Sequence, residues 1–339
     1  MKTTQGFILI DVDVAALNNA GSDPGTNLDN AVAAKKISKN GKQYPYVSGQ
    51  AWRYWWRETL KNEFKWNMSP ITREKKIAFT SADPFIYPDD DVFGYMKAKK
   101  ENNENITLTR VSPLKNSALI SVAYNPVVQN WSSMTRQEGD AVPYGKDEYC
   151  AIMKGMFSLN LDMVGTFSSY NRTGFMNINS SMKEEALKNG SLEIDDPIIK
   201  DSKNIPLKLI QLPDEIRLQR IKDTICALKT ISGGAKLTTN LADVTPKIII
   251  LTSLNSGNHP FSHLAVEELG KAVFSIDALK QILNDYNEQI TGKVFIGRRN
   301  GFMDNLEKDF ESLSIENNKV FYGSIIEAID NYIQSIKLD

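Results

Sequence analysis

The chain has 339 residues, of which 41% are hydrophobic and 24% charged, with a formal net charge of -1. That composition excludes global disorder, and at about 150 residues per domain the length fits two domains or one with large insertions. No apolar run approaches the roughly 18 residues of a membrane span, and Asp11 and Asp13 cut the first one short, which excludes a signal-peptide core. Two cysteines, Cys150 and Cys226, are too few for a disulfide framework or a Cys-based zinc site, so the chain reads as cytoplasmic.

The near-zero net charge hides an uneven distribution. Residues 35–76 hold eleven Lys/Arg against three Glu, and residues 255–339 hold eight Lys/Arg against thirteen Asp/Glu. A molecule so divided offers one phosphate-friendly face and one acidic face. Balanced total charge also lets many copies pack side by side without strong repulsion.

In chain order, residues 6–16 alternate apolar and polar, which predicts a strand with Ile8, Ile10, Val12 and Val14 on one side. Residues 17–47 form a long polar connection with a short helix expected over 30–37. Residues 48–64 predict a helix capped by Ser48. Trp52, Trp55, Trp56, Leu60 and Phe64 make its apolar stripe, which reads as core. Arg53, Arg57 and Lys61 recur every four residues and make a second, basic stripe. By itself that stripe reads as a solvated face or as a phosphate-binding one.

Strands are expected at 116–125 and 149–167, a helix at 213–231 closed by Gly233-Gly234, and a buried strand at 246–254. Beyond them a helix near 262–290, a short strand at 293–297 and a helix near 323–336 follow. Without the intervening excursions the order is strand, helix, strand, strand, helix, strand. This predicts an α+β, ferredoxin-like (RRM-like) core, a fold that RNA-recognition modules use and that many unrelated proteins share.

No constellation demands catalysis. His259 and His263 are the only histidines; Pro260 disfavours a helix through His259, and no H-E-x-x-H pattern or third ligand accompanies them. Asp89, Asp90 and Asp91 read as a solvated turn capping a helix from Phe93. Gly233, Gly234 and Lys236 follow a helix rather than precede one, so they are not a P-loop, although such glycines let backbone amides and an ammonium approach a phosphate.

Five segments occur together in one order: LNNAGSD at 17–23, PYVSGQAWRYWWR at 45–57, DVFGYM at 91–96, RVSPLKNSALIS at 110–121 and SGGAK at 232–236. Together they resemble the DevR family, the backbone subunit of type I-B CRISPR Cascade in the RAMP superfamily. The resemblance implies a single hand-shaped chain. Its palm would be built from about 6–64, 116–125, 149–167 and 213–254, with fingers at about 65–115, a thumb at about 168–212 and a helical extension at 255–339.

Copies would stack head to tail along guide crRNA and present it to a target DNA strand. They would do so beside a large subunit, a subunit at the guide's 5′ end and a repeat-processing ribonuclease. The resemblance carries Ser48, Gln50, Arg53 and Arg57 over as phosphate ligands. Asn18, Asn19, Lys42, Gly233, Gly234 and Lys236 occupy similar places. Asn19, Ala20 and Gly21 stand where relatives often carry basic residues. Phe175 and Met176 are candidates for the thumb's wedge. The resemblance implies no catalytic residue, cofactor, metal or membrane contact. The alternative is a RAMP-type endoribonuclease, motivated by the same fold together with the histidine pair or the acidic run.

Overall fold

The computed structural model describes residues 1–22, 31–101, 104–170 and 176–338. The opening alternation becomes β1 (Thr3–Ala15), yet every residue from Thr3 to Ile10 is buried. Ile8, Ile10 and Val12 belong to one core cluster, Phe7 and Leu9 to another. A strand buries both faces only when both faces of its sheet are covered. The alternation at Asp11 and Asp13 marks where β1 runs out past that cover, and Val14, expected inward, is exposed.

β2 (Asn19–Ser22) pairs with β3 (Val32–Ala34), and β4 (Lys36–Lys39) with β5 (Lys42–Val47). The helix expected at 30–37 is therefore a pair of strand segments. Asn40 and Gly41, both at positive φ, supply the two-residue turn that ties β4 to β5. α1 (Gly49–Glu63) starts where the Ser48 hydroxyl accepts a hydrogen bond from the Ala51 amide at 3.3 Å. Trp52, Trp55, Trp56 and Leu60 are buried, as the stripe predicts.

Residues 65–115, expected as fingers, contain β6 (Thr72–Glu74), β7 (Ile77–Phe79), α2 (Pro88–Phe93), β8 (Tyr95–Glu101) and β9 (Glu104–Arg110). Here the solvated-turn expectation fails. Asp89, Asp90 and Asp91 are buried inside α2. Asp91 bridges Arg110 at 2.6 Å and Arg220 at 2.8 Å and also accepts from the Gly165 amide. Three acids in a row look solvated in a sequence because their partners lie 19 and 129 residues away.

The strand expected at 116–125 is broken into β10 (Leu114–Asn116) and β11 (Leu119–Ser121). Leu114 lies opposite Leu159 while Ile120 lies opposite Lys154, so the register shifts by one residue between the two pieces, as at a bulge. β12 (Val128–Met134) and the 19-residue β13 (Val142–Asn160) follow. The first seven residues of β13 pair with β12 to make a hairpin.

β14 (Thr166–Ser168), α3 (Ser180–Lys188), β15 (Leu192–Lys200) and β16 (Pro206–Gln211) make a small unit with strand order β14-β16-β15. This segment packs on β8 and β9. The Tyr95 hydroxyl donates to the Asn177 carbonyl at 2.6 Å, and the Thr109 amide donates to the Met176 carbonyl at 2.8 Å.

α4 (Asp214–Cys226) is the expected helix, though Ile216 lies exposed off its buried face. α5 (Leu237–Asn240) is a single turn before β17 (Ile248–Leu254). The remainder runs β18 (Ala265–Glu268), β19 (Lys271–Phe274), α6 (Ile276–Asp285), β20 (Val294–Arg298), α7 (Glu307–Glu316), β21 (Val320–Gly323) and α8 (Ile325–Ser335). β20 and α8 answer to the expected short strand and last helix. The helix expected near 262–290 is instead a hairpin followed by the shorter α6. β18, β19 and β21 are four residues each, short enough to be lost between helical patterns.

The main sheet is mixed and mostly antiparallel, with the path β21-β20-β17-β1-β13-β11-β5-β4. β20 and β21 alone on that path run parallel, joined by a crossover through α7. α1, α4 and α8 close one face over Trp56, Ile225 and Ile329. The segment from Phe261 to Val320 closes the other over Phe7, Leu9 and Ile250. Among the described residues no helix is long and apolar enough to cross a membrane.

Candidate nucleic-acid interface

Three chain segments meet where β1 ends and α1 begins. The Asn18 side-chain carbonyl accepts from the Ser48 amide at 3.0 Å, which locks the strand end to the helix cap. The Ala235 amide donates to the Leu17 carbonyl at 2.9 Å, which brings in the 233–236 loop. The glycines there are obligatory. A Cβ on Gly233 would sit 2.2 Å from the Trp55 ring, and one on Gly234 would sit 2.8 Å from Leu17 Cδ2 at a φ of +116°. Asn19 and Gln50 are exposed beside this junction. The first turn of α1 adds a positive dipole end and amide donors.

Asn18, Asn19, Ser48, Gln50, Gly233, Gly234 and Lys236 thus lie on or next to these three joined segments. Lys42 does not. It starts β5, whose far end leads into Ser48, about 20 Å away at roughly 3.3 Å per residue. Its ammonium lies 3.4 Å from Glu267 and 5.6 Å from the Tyr124 ring centroid. Glu267 is held below the usual carboxylate range, first by the Tyr44 hydroxyl that donates to it.

The two arginines have a different setting from the one their spacing suggests. The Arg53 guanidinium donates to the Leu114 carbonyl, the Asn116 side-chain oxygen, the Phe93 carbonyl and the Ser112 hydroxyl, all within 2.7 to 3.0 Å. Burial, with Arg57 nearby, lowers its pKa to about 10, so it stays charged at neutral pH. Arg57 stacks on the Phe93 ring, 4.3 Å from its centroid. Burial lowers its pKa too, against the opposing pull of Asp89 and Asp90. Both arginines fasten α1 to the finger base. All four hydrogens of the Arg53 terminal nitrogens are thus engaged by the protein, and the Nε–H is the donor left for a phosphate.

A neighbouring group lies between the strands expected at 116–125 and 149–167, in a span to which the sequence reading assigns no site residue. Lys146 and Glu148 alternate along β13 and form an ion pair at 2.6 Å. Asn130 on β12 donates to Glu148 at 2.7 Å, and Asn240 on α5 at 3.5 Å. Burial pushes Glu148 up, but these donors outweigh it and leave its pKa below the ordinary value. Lys236 lies in the same field: burial and Lys146 lower its pKa, while Glu148 and Asp147 oppose the shift. The period-two spacing of Lys146 and Glu148 is the signal that could have found this group.

His259 donates from Nε2 to the Gly6 carbonyl at 3.0 Å and the Phe157 carbonyl at 3.2 Å, while His263 is exposed on the following turn. No group of three or more His, Cys, Asp or Glu able to hold a metal occurs among the described residues. Phe175 lies outside the described residues. Met176 packs with Ala82, Tyr95 and Leu108.

The family model for the CRISPR-associated negative auto-regulator DevR/Csa2 matches residues 8–268. The chain belongs to the DevR/Csa2 family. That match spans β1 through β18 and takes in the whole junction described above. A comparison with curated proteins finds no match. Among solved structures, a chain of a "CRISPR RNA-guided surveillance complex" is similar at 11% identity and a TM-score of 0.54, over 98% of this chain and 99% of that one. A chain of a "CRISPR RNA-guided surveillance complex, pre-nicking" is similar at 8% identity and the same TM-score, over the same shares. At such identities the likeness concerns the fold of this DevR/Csa2 member.

Proposed function

We propose that this DevR/Csa2 member is a non-catalytic backbone subunit of a type I-B CRISPR Cascade. In this reading it binds guide crRNA through its phosphates, polymerises along it and presents it to target DNA. The observation that carries the reading is the junction of Asn18, Ser48, Gly233-Gly234 and Lys236, where a helix N-terminus, backbone amides and an ammonium meet at one sheet end. Such a junction reads phosphates and shape rather than base sequence, and base pairing then supplies the specificity.

The palm is ferredoxin-like in this reading. The path β17-β1-β13-β11, with α1 and α4 on one face, supports it. The fingers at 65–115 and the unit at 168–212 act as one body, tied through Asn177 and Arg110. The resemblance implies a wedge within 168–212; in this reading the wedge between guide and target is the β12–β13 hairpin instead. It exposes Trp131, Met134 and Val142 toward its 135–141 tip, the apolar side chains that unstacking a base step needs. The partners are guide crRNA, a target DNA strand, further copies and the other Cascade subunits.

Purification with the surrounding operon, followed by sequencing of the bound RNA, tests the assignment. CRISPR repeat–spacer RNAs of many spacer sequences are expected. Well-folded, RNA-free protein under those conditions refutes it, and cleavage of matched RNA by the purified chain refutes its non-catalytic part.

A further inference from the structure

We propose that Lys146, Asn130 and Asn240, which converge on Glu148, form with the neighbouring Lys236 a clamp for a nucleic-acid phosphodiester. In the free protein the Glu148 carboxylate occupies the phosphate's place. This deepens the RNA-binding reading and rests on it.

Donors from three separate elements converge on this one side chain: the Lys146 ammonium from β13, the Asn130 amide from β12 and the Asn240 amide from α5. The same donors serve a carboxylate and a phosphate, since both offer charged acceptor oxygens. Lys236 is tied into the group by a single helical turn: the Asn240 amide donates to the Lys236 carbonyl at 3.0 Å. Lys236 itself is held at φ +56°, a left-handed conformation that is strained for a lysine.

On the neighbouring residue, Asp147 accepts from the Ala34 amide at 3.0 Å and lies 3.6 Å from the Lys36 ammonium. Lys36 and Lys146 therefore each pair with one of two successive carboxylates, and Lys236 lies one helical turn from Asn240. Lys236 adds a positive charge outside these two ion pairs, at the root of the hairpin and in the loop that joins the Ser48 junction. An arriving phosphate exchanges with Glu148 for Lys146, rather than having to draw a free lysine out of solvent.

The test is fluorescence anisotropy of the full-length, RNA-stripped chain with labelled oligouridylate as probe, across a salt series. Removing one phosphate ligand flattens the log–log salt slope by about 0.7 for a single strand. Lys146→Ala is expected to flatten it by that amount. Glu148→Gln keeps the side chain's shape, removes the competing charge and is expected to tighten binding about threefold or more at moderate salt. Lys236→Gly is the control against misfolding, because it removes the ammonium while relieving the backbone strain; it is expected to flatten the slope with no loss of thermal stability. If the wild type binds and all three folded variants match it, the clamp is refuted and the RNA-binding reading stands. If the wild type binds no oligouridylate even at low salt, both fall.

Discussion

Asp91 shows how one side chain can hold three parts of a chain together. Its carboxylate joins Arg110 of the fingers, Arg220 of α4 and the Gly165 amide beyond β13, and all three ionic side chains are nearly inaccessible. Removing one partner of a buried ionic group leaves uncompensated charge, which costs about 3–5 kcal/mol. Asp91→Ala is expected to lose that much in urea unfolding followed by tryptophan fluorescence. Asp195→Ala, which breaks an exposed pair with Lys208, is expected to lose less than about 0.5 kcal/mol. Equal losses in the two variants would show that the buried triad does not organise the fold.

His259 gives the same scale a pH dependence. Its Nε2 proton is shared by two backbone carbonyls, and its buried Nδ1 has no partner. Burial therefore lowers its pKa below the usual 6.5. The unfolded state then binds the proton more readily, so stability rises with pH in this window. It is expected to be complete above about 6.5 and to decline as pH falls below that value toward the folded pKa. In His259→Gln, which keeps a donor but cannot titrate, that part of the slope should vanish. A slope unchanged by the substitution would place the acid sensitivity elsewhere.

At the scale of elements, α1 is the piece most legible in the sequence and also the one whose chemistry the sequence misplaces. Its cap, its length and its tryptophan stripe follow from local pattern alone. The partners of Arg53 do not, because Leu114, Asn116 and Ser112 come from 59 to 63 residues downstream. The same distinction explains the other departures. β1, α4 and β17 are long periodic runs and are readable as such. The broken β10–β11 strand depends on a bulge against β13, and the second face of β1 depends on a cover that arrives more than 250 residues later. Arg53→Lys is expected to keep the charge and cost about 2 kcal/mol, since an ammonium cannot span four acceptors placed for a planar fork. Thermal unfolding at fixed pH measures it; an unshifted melting temperature would make Arg53 an open phosphate ligand instead of a fastener.

At the scale of the whole molecule, the sheet packs most of the chain on its two faces and leaves the β12–β13 hairpin anchored only at its root, where β13 also pairs with β3. Both faces of the central strands are sealed, the finger and 168–212 units are locked to each other, and the edge strand β4 carries Lys36 and Lys39, which discourage edge-to-edge pairing. The β12–β13 hairpin differs. Its tip pairs only with itself, and Trp131 lies across Gly145, where any Cβ would come within 3.1 Å of the indole, yet remains 53% exposed. An indole held against its own hairpin but open to solvent is suited to unstacking a base step without collapsing inward. A shortened hairpin, with 135–141 replaced by Asn-Gly and Trp131 by Ala, should fold as well as the wild type, because none of the removed side chains belongs to a core cluster. On RNA-loaded protein paired with a target strand carrying 2-aminopurine at successive positions, the wild type should brighten the probe at regular intervals, wherever an arm parts the bases. The shortened variant should leave it quenched throughout. Periodic brightening that survives the deletion would move the wedge to another part of the chain.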